Sequence, residues 1–396
     1  MGGISDLADG NAVENVLIYI VDSLRLDYLP ERVSDLGVTV PTIAASTYTA
    51  SSIPSMMTGQ YPATHRVWGF NDVVERSPKL LEGPNAGLDL RNVWVDIDDP
   101  VQKPPNRVLD LEKQHNLNEA EDGFTIVVHE KGAHAPYDFF NVKWDSSPPF
   151  FEHFAGKSDQ LENMYKRGAE TAADRFLDTV DQLSERDLLE DTLVIFTSDH
   201  GELLGEIERG GIYAHGSPIC PELVRVPTVF MGAGLPSGKR LEWVSSGTDL
   251  APTAMSATNR GTLPNVDGID LWTITPDPNR IVRSDFWAHG GTVEYSASSA
   301  WDSNGGFVKQ FGSPLERIIF AIHRKLYKGL QAPANRAQLP RSFLPLVQTF
   351  GKSALAYGSP SEMTHQYPVS EFEENKGETE VPEVNEEQLR ALGYID

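Results

Sequence analysis

Thr192-Leu193-Val194-Ile195-Phe196-Thr197-Ser198-Asp199-His200-Gly201-Glu202 joins an unbroken apolar run to an aspartate and a histidine. Short runs of Val, Ile and Leu without polar alternation are what strands buried on both faces require, as in a parallel sheet covered by helices. The run therefore reads as a buried strand, with Asp199 and His200 at its end. A carboxylate beside an imidazole on a rigid strand end is half of what a divalent cation needs, and Tyr213-Ala214-His215-Gly216 supplies a second imidazole downstream.

Two more runs end in the same way. Val16-Leu17-Ile18-Tyr19-Ile20-Val21 leads into Asp22, and Phe124-Thr125-Ile126-Val127-Val128 leads into His129, with His134 shortly after. Ligands of open parallel sheets bind outside the carboxyl ends of the strands, so the three ends can share one crevice. Between the second and third runs, Leu161, Met164, Ala169, Ala172, Phe176, Val180 and Leu183 recur at helical spacing, and Ser158 or Asp159 is placed to cap the helix. Strand, long helix and strand in succession read as a right-handed βαβ crossover. The fold class is α/β, with helices on both faces of a mostly parallel sheet.

A nucleophile is the missing part, and Thr47 to His65 is the segment suited to supply it. Thr58-Gly59-Gln60-Tyr61-Pro62 with His65, the strand ending in Asp22-Ser23-Leu24-Arg25, and Ser198-Asp199-His200-Gly201-Glu202 together resemble the sulfatase branch of the alkaline phosphatase superfamily. His134-Ala135-Pro136-Tyr137, Arg225-Val226-Pro227, Thr248-Asp249-Leu250-Ala251-Pro252-Thr253 and Leu389-Arg390-Ala391-Leu392-Gly393-Tyr394 follow in the family's order. Roughly 72–120 and 290–385 carry no such match. The resemblance implies an alkaline-phosphatase-like α/β/α sandwich with a small C-terminal subdomain: a catalytic domain over 1–280 and a subdomain over 281–396 with an acidic linker and a terminal helix.

The resemblance also implies a metal-dependent hydrolase of phosphoric or sulfuric ester bonds that works through a covalent intermediate. Formylglycine sulfatases carry Cys/Ser-x-Pro-x-Arg before the Thr-Gly-x-Tyr-Pro element. Here Thr49 falls on the first position, with Ser51 and Ile53 where Pro and Arg belong, and threonine cannot become formylglycine. Thr49-Ala50-Ser51-Ser52-Ile53-Pro54 is instead similar to the threonine nucleophile segment of the phosphoethanolamine transferases. A competing register takes Ser52-Ile53-Pro54 as the sulfatase motif, with Met56 in place of its arginine.

Asp22, Thr49, Asp199 and His200 are the expected metal shell, with Thr49 the nucleophile activated by the ion. His134 and His215, with His129, hold a second cation or bind the non-bridging oxygens; His134 and His215 are thereby candidate catalytic residues. Ser23 replaces a second aspartate and His215 a lysine of the sulfatases, which favours zinc or manganese over calcium, as one or two ions. His65 reads as structural, and Arg25 and Asp27 as partners of each other. The expected activity is ester hydrolysis or phosphotransfer, with phosphate esters preferred. The alternatives are a sulfatase acting without formylglycine and a non-catalytic binding module on the same scaffold.

Composition bounds the setting. With 57 Asp and Glu against 33 Lys and Arg, the formal charge of −24 excludes a general nucleic-acid or anionic-membrane binder. Acids dispersed along the chain and arginine in excess of lysine resemble proteins of salt-loving archaea. No run reaches the ~20 apolar residues of a spanning helix, and the first apolar run is the ligand-bearing strand itself, so a cytoplasmic protein is expected. The expected partner is a small-molecule or glycan ester, and nothing in the sequence sets an oligomeric state. After about 280, residues 317–330 read as a basic helix, 371–387 as an acidic linker and 386–394 as a short terminal helix.

Overall fold

A computed structural model describes residues 2–10, 12–91, 103–112, 114–138, 147–289, 293–327, 331–369 and 372–373. Five strands carry the argument: β1 (Asn15–Val21), β2 (Val38–Ile43), β3 (Ala86–Arg91), β4 (Thr125–Glu130) and β5 (Thr192–Thr197). They lie in an eight-stranded sheet ordered Ser245–Ser246, β2, Arg225–Met231, β5, β1, β4, β3, with Lys239–Arg240 paired beside β2. Arg225–Met231 runs antiparallel to both β2 and β5, while β5, β1, β4 and β3 run parallel. The sheet is therefore mostly parallel, as the apolar runs require.

Side chains of β1 explain the layering. Val16, Ile18 and Ile20 enter one core with the helices Thr49–Thr58 and Leu250–Ala257, and Leu17, Tyr19 and Val21 enter another beneath the helix Ser158–Glu185. A strand whose alternate residues both meet helices has no polar face to show, which is why it reads as a continuous apolar run. The Ser158–Glu185 helix buries Leu161, Met164, Ala169, Ala172, Phe176, Val180 and Leu183, the residues picked out by spacing. It joins β4 to β5 across β1, which lies between them. Its start differs from expectation. Lys157 occupies the N-cap without a side-chain bond, and the Ser158 hydroxyl instead accepts from Tyr213 Oη at 3.0 Å and Gln338 Nε2 at 2.5 Å.

A four-stranded antiparallel sheet follows in the C-terminal part, ordered Val282–Ala288, Tyr295–Asp302, Gly305–Gln310, Ala354–Gly358. It is tied to the chain just before the helix Thr49–Thr58 by Asp285 N–H donating to the Ala45 carbonyl at 2.9 Å. The basic helix expected over 317–330 runs Pro314–Leu326, its start moved earlier by a capping box between Ser313 and Glu316. Most of the acidic stretch 371–387 and all of the terminal segment 386–394 lie outside the described residues. No described helix is long and apolar enough to cross a membrane.

Candidate active site

Register brings three strand ends to one place. Ile20 of β1 pairs with His129 of β4 on one side and Thr197 of β5 on the other, so Asp22, His129 and Asp199 emerge within two rungs of each other. His129 lies inside β4 rather than beyond it, and Glu130 ends that strand. Ligand atoms of Asp22, Asp199 and His200 all fall within 4.8 Å of one another, and all three residues are fully buried. Thr49, the first residue of its helix, places Oγ1 3.0 Å from His200 Nε2.

Backbone geometry fixes these groups. Ser23 adopts φ 66, a left-handed conformation that turns the chain sharply after β1. Its N–H donates to Asp199 Oδ1 at 3.2 Å and its hydroxyl to Asp22 Oδ1 at 2.9 Å. The residue that replaces an aspartate is thus a support for two others. His200 Nδ1 lies 2.9 Å from the Gly201 carbonyl, which can only accept, so Nδ1 carries the proton and Nε2 turns its lone pair toward Thr49. Ser52 donates to the Asp199 carbonyl at 2.6 Å.

The donor set fits a divalent cation. Among the described residues, Asp199 Oδ2 is buried without a hydrogen-bond donor and both ring nitrogens of His129 are without a hydrogen-bond partner. His129 Nε2 is 4.0 Å from Asp22 and 3.9 Å from Asp199, so this histidine belongs with the first cluster rather than with the downstream pair. Burial works against a charged Asp199, yet His200, His129 and the Ser23 N–H together hold its carboxyl below the usual range. Burial also disfavours a charged His129, and the carboxylates of Asp199, Asp22 and Glu130 outweigh it and raise its pKa. Two buried carboxylates that attract every nearby positive charge are what a cation site presents before the ion is added.

His215 is delivered by a small ribbon, Leu203–Leu204 against Tyr213–Ala214, which folds the chain back on Asp199-His200. Its ring centroid is 4.3 Å from that of His200 and 5.3 Å from that of His134. His134 Nδ1 bonds the Ala135 carbonyl at 2.7 Å. Burial, then the charges of Lys131 and His215, push the His134 pKa well below its ordinary value, so it is neutral.

Sequence reasoning passed over Lys131 and assigned no task to Glu202. Lys131 is 4% exposed, and burial lowers its pKa to about 8 against the pull of Asp22 and Glu202. Its position between His129 and His134 was the available signal, but a lysine is by default a surface residue. Glu202 Oε2 lies 3.1 Å from His215 Nδ1, and burial raises its carboxyl to about 7 against Tyr137, His200, Arg324 and Arg25. His65 is structural in the fold: its Nδ1 accepts from Val67 N–H at 3.0 Å and Nε2 meets the Ser55 hydroxyl at 2.9 Å. Arg25 pairs with Asp27 at 2.7 Å, and also with Glu206 at 2.6 Å.

A family model described as Sulfatase matches residues 99–260. Over its whole length the chain is 42% identical to the low-salt glycan biosynthesis sulfotransferase Agl7 of Haloferax volcanii, covering 100% of this chain and 99% of that one. The chain belongs to the sulfatase family. Among solved structures, this sulfatase-family protein is similar to a 2-O GAG sulfatase, with TM-score 0.58 and 14% identity over 82% of this chain and 93% of that one. It is likewise similar to the phosphonate monoester hydrolase of Agrobacterium radiobacter, with TM-score 0.54 and 15% identity over 90% and 99%. At these identities the likeness is one of fold, that of the alkaline phosphatase superfamily. Sulfatase-family enzymes act on ester bonds with a divalent metal, and the Asp22, Asp199, His200 cluster is where this chain can hold one.

Proposed function

We propose that this protein transfers a sulfuryl group from a sulfate ester to a hydroxyl acceptor, through a covalent intermediate on Thr49. The observation that carries the reading is the Thr49 hydroxyl at the head of its helix, 3.0 Å from His200 Nε2 within the Asp22, Asp199, His200 cluster. Support for sulfur comes from 42% identity along the entire chain to a protein named as a sulfotransferase of glycan biosynthesis. Metal bound by Asp22, Asp199 and His200 supplies the positive charge that lowers the pKa of an adjacent hydroxyl and offsets charge on the transferring group. The buried Lys131, whose charge lowers the His134 pKa, would add positive charge on that side of the site.

Thr49 Oγ1 gives up its proton to solvent and attacks sulfur as the bond from sulfur to the donor oxygen breaks; the departing oxygen takes a proton from solvent, and a sulfothreonine remains. His134 and His215 face the departing oxygen and the sulfuryl oxygens, with Lys131 offsetting their charge. Formylglycine enzymes expel sulfate through the second hydroxyl of the hydrated aldehyde, and threonine has none. A sulfothreonine is cleared only by a second attack at sulfur, which a sugar hydroxyl can make as well as water, so Thr49 leaves transfer open beside hydrolysis. Phosphoryl transfer is the second reading, favoured by the same threonine, which the phosphoethanolamine transferase segment shares.

Turnover of an aryl sulfate, an aryl phosphate monoester and an aryl phosphate diester, in molar salt with zinc or manganese and a sugar acceptor, tests both. Thr49→Ala is expected to lower kcat by at least ~1000-fold, the scale for losing a nucleophile. Activity that survives Thr49→Ala and disappears in Ser52→Ala overturns the assignment. Preference for the phosphate diester moves the group from sulfur to phosphorus.

A further inference from the structure

We propose that Glu202 is a positioning residue that fixes the tautomer and orientation of His215, a role that rests on the reading of His215 given above. Glu202 lies one rung beyond the ribbon in which Leu203 pairs with Ala214, so its side chain stands directly across from His215. Both residues are buried, Glu202 at 1% exposure. Glu202 Oε2 lies 3.1 Å from His215 Nδ1, and Oε1 accepts from the Tyr137 hydroxyl at 2.8 Å. The Glu202 carbonyl also accepts from Arg25 Nη1 at 3.3 Å. Tyr137 is itself wedged among Phe150, Phe151 and Tyr165, so the carboxylate has little freedom to turn.

The histidine is held from its other sides as well. Its ring stacks on Tyr48 and packs at a tilt against His200, its carbonyl accepts from Arg324, and the next carbonyl, of Gly216, accepts from Thr47 Oγ1 at 2.6 Å. These contacts fix where the ring is and leave open which nitrogen points where. A neutral imidazole has one N–H and two nearly equivalent tautomers, and a half-turn of the ring exchanges its nitrogens. An ionised carboxylate accepts and does not donate, which removes that freedom: Nδ1 then carries the proton, and Nε2 is turned away from Glu202. A carboxylate behind a histidine does this in metal sites, where losing it costs about 10- to 100-fold in affinity or activity.

The test removes the carboxylate without stranding its other partner. Glu202→Met is made in a Tyr137→Phe background, so that no hydroxyl loses its acceptor. Tyr137→Phe alone, which keeps the bond from Glu202 to His215, is the reference for folding and kinetics. In metal-free, ¹⁵N-histidine-labelled protein at pH 8, the signal that His215→Ala eliminates should report a protonated Nδ1 in the reference and lose that pattern in the double variant. In kinetics the double variant should lose about 10- to 100-fold in kcat, with KM changed far less. In a His215→Ala background the same Glu202 change should cost nothing further.

An unchanged tautomer in the double variant, or losses from Glu202 and His215 that simply multiply, overturns the proposal. Failure of the nucleophile reading is separable: it shows as turnover surviving Thr49→Ala, whereas the nitrogen spectra need no turnover.

Discussion

Thr49 and Ser52 sit three residues apart at the head of one helix, yet their hydroxyls face different tasks. Thr49 meets His200 Nε2, whereas Ser52 is committed to the Asp199 carbonyl. Sequence alone could rank them only by motif register, because which hydroxyl faces the cluster depends on where β5 ends. The same limit hid Lys131 and the task of Glu202, whose importance comes from burial and from a ribbon pairing that no local pattern announces. His65 yields a prediction at this scale. Burial lowers its pKa to about 3, and Nδ1 must stay unprotonated to accept from Val67. The unfolded histidine titrates near ~6.5, so between about pH 6.5 and 3 the unfolded chain binds more protons and stability falls as pH falls. Above that window the contribution is fully present. His65→Asn should therefore be less stable than wild type at pH 7.5. It should also be spared about 2 kcal/mol of the loss that wild type suffers between pH 7 and pH 5, read from urea unfolding at constant salt. Equal slopes in the two proteins would exclude His65 as the titrating group.

Elements were legible where one physical requirement dominated. β1, β4 and β5 are buried on both faces and so are written as unbroken apolar runs, and the Ser158–Glu185 helix covers one of those faces with a single stripe. β2 was not read, because Pro41 interrupts it and sits in register opposite Pro227 of the neighbouring strand. Neither proline offers a donor to the other, and their carbonyls accept instead from Ser245 Oγ at 3.2 Å and Thr197 Oγ1 at 2.9 Å, whereas from sequence each argues against a central strand. The antiparallel direction of Arg225–Met231 was equally hidden, since direction is set by chain connections and not by composition. Phe176 is the contact on which the helix-to-sheet packing turns: it is fully buried, 5.1 Å from the Tyr19 ring and 4.7 Å from the Phe196 ring. Phe176→Ala should cost about 3–5 kcal/mol, the range for deleting a buried aromatic. Because Tyr19 and Phe196 lie on β1 and β5, whose ends carry Asp22 and Asp199, metal affinity should fall along with the thermal midpoint. A variant with a lowered midpoint and unchanged metal affinity would mean that the strand ends are held by their own hydrogen bonds and not by the helix.

At the scale of the whole molecule, charge and architecture meet. A formal charge of −24 on one chain repels itself, and buried groups such as Asp22 and Asp199 add to that field at the site. The C-terminal part counters it locally. Arg324 from the Pro314–Leu326 helix donates to Ser217 at 2.8 Å and to the His215 carbonyl, and Lys325 Nζ donates to the carbonyls of Gly210 at 2.7 Å and Gly211 at 2.8 Å. Two buried cations thus tie this helix to the loop that carries His215. That tie was invisible in the sequence, where the same residues read only as a basic stretch. Dispersed acidic charge is weakened by ions within a Debye length, about 10 Å at 0.1 M salt and about 3 Å at 1 M, whereas bonds between a buried cation and a carbonyl are screened far less. The thermal midpoint should therefore climb between 0.1 and 2 M potassium chloride. Arg324→Met should lower it at every salt concentration without changing the slope, because the lost bonds are short and buried. A wild-type midpoint that is flat across that range would mean the acidic surface is not a destabilising load, and the likeness to salt-adapted proteins would then be one of composition only.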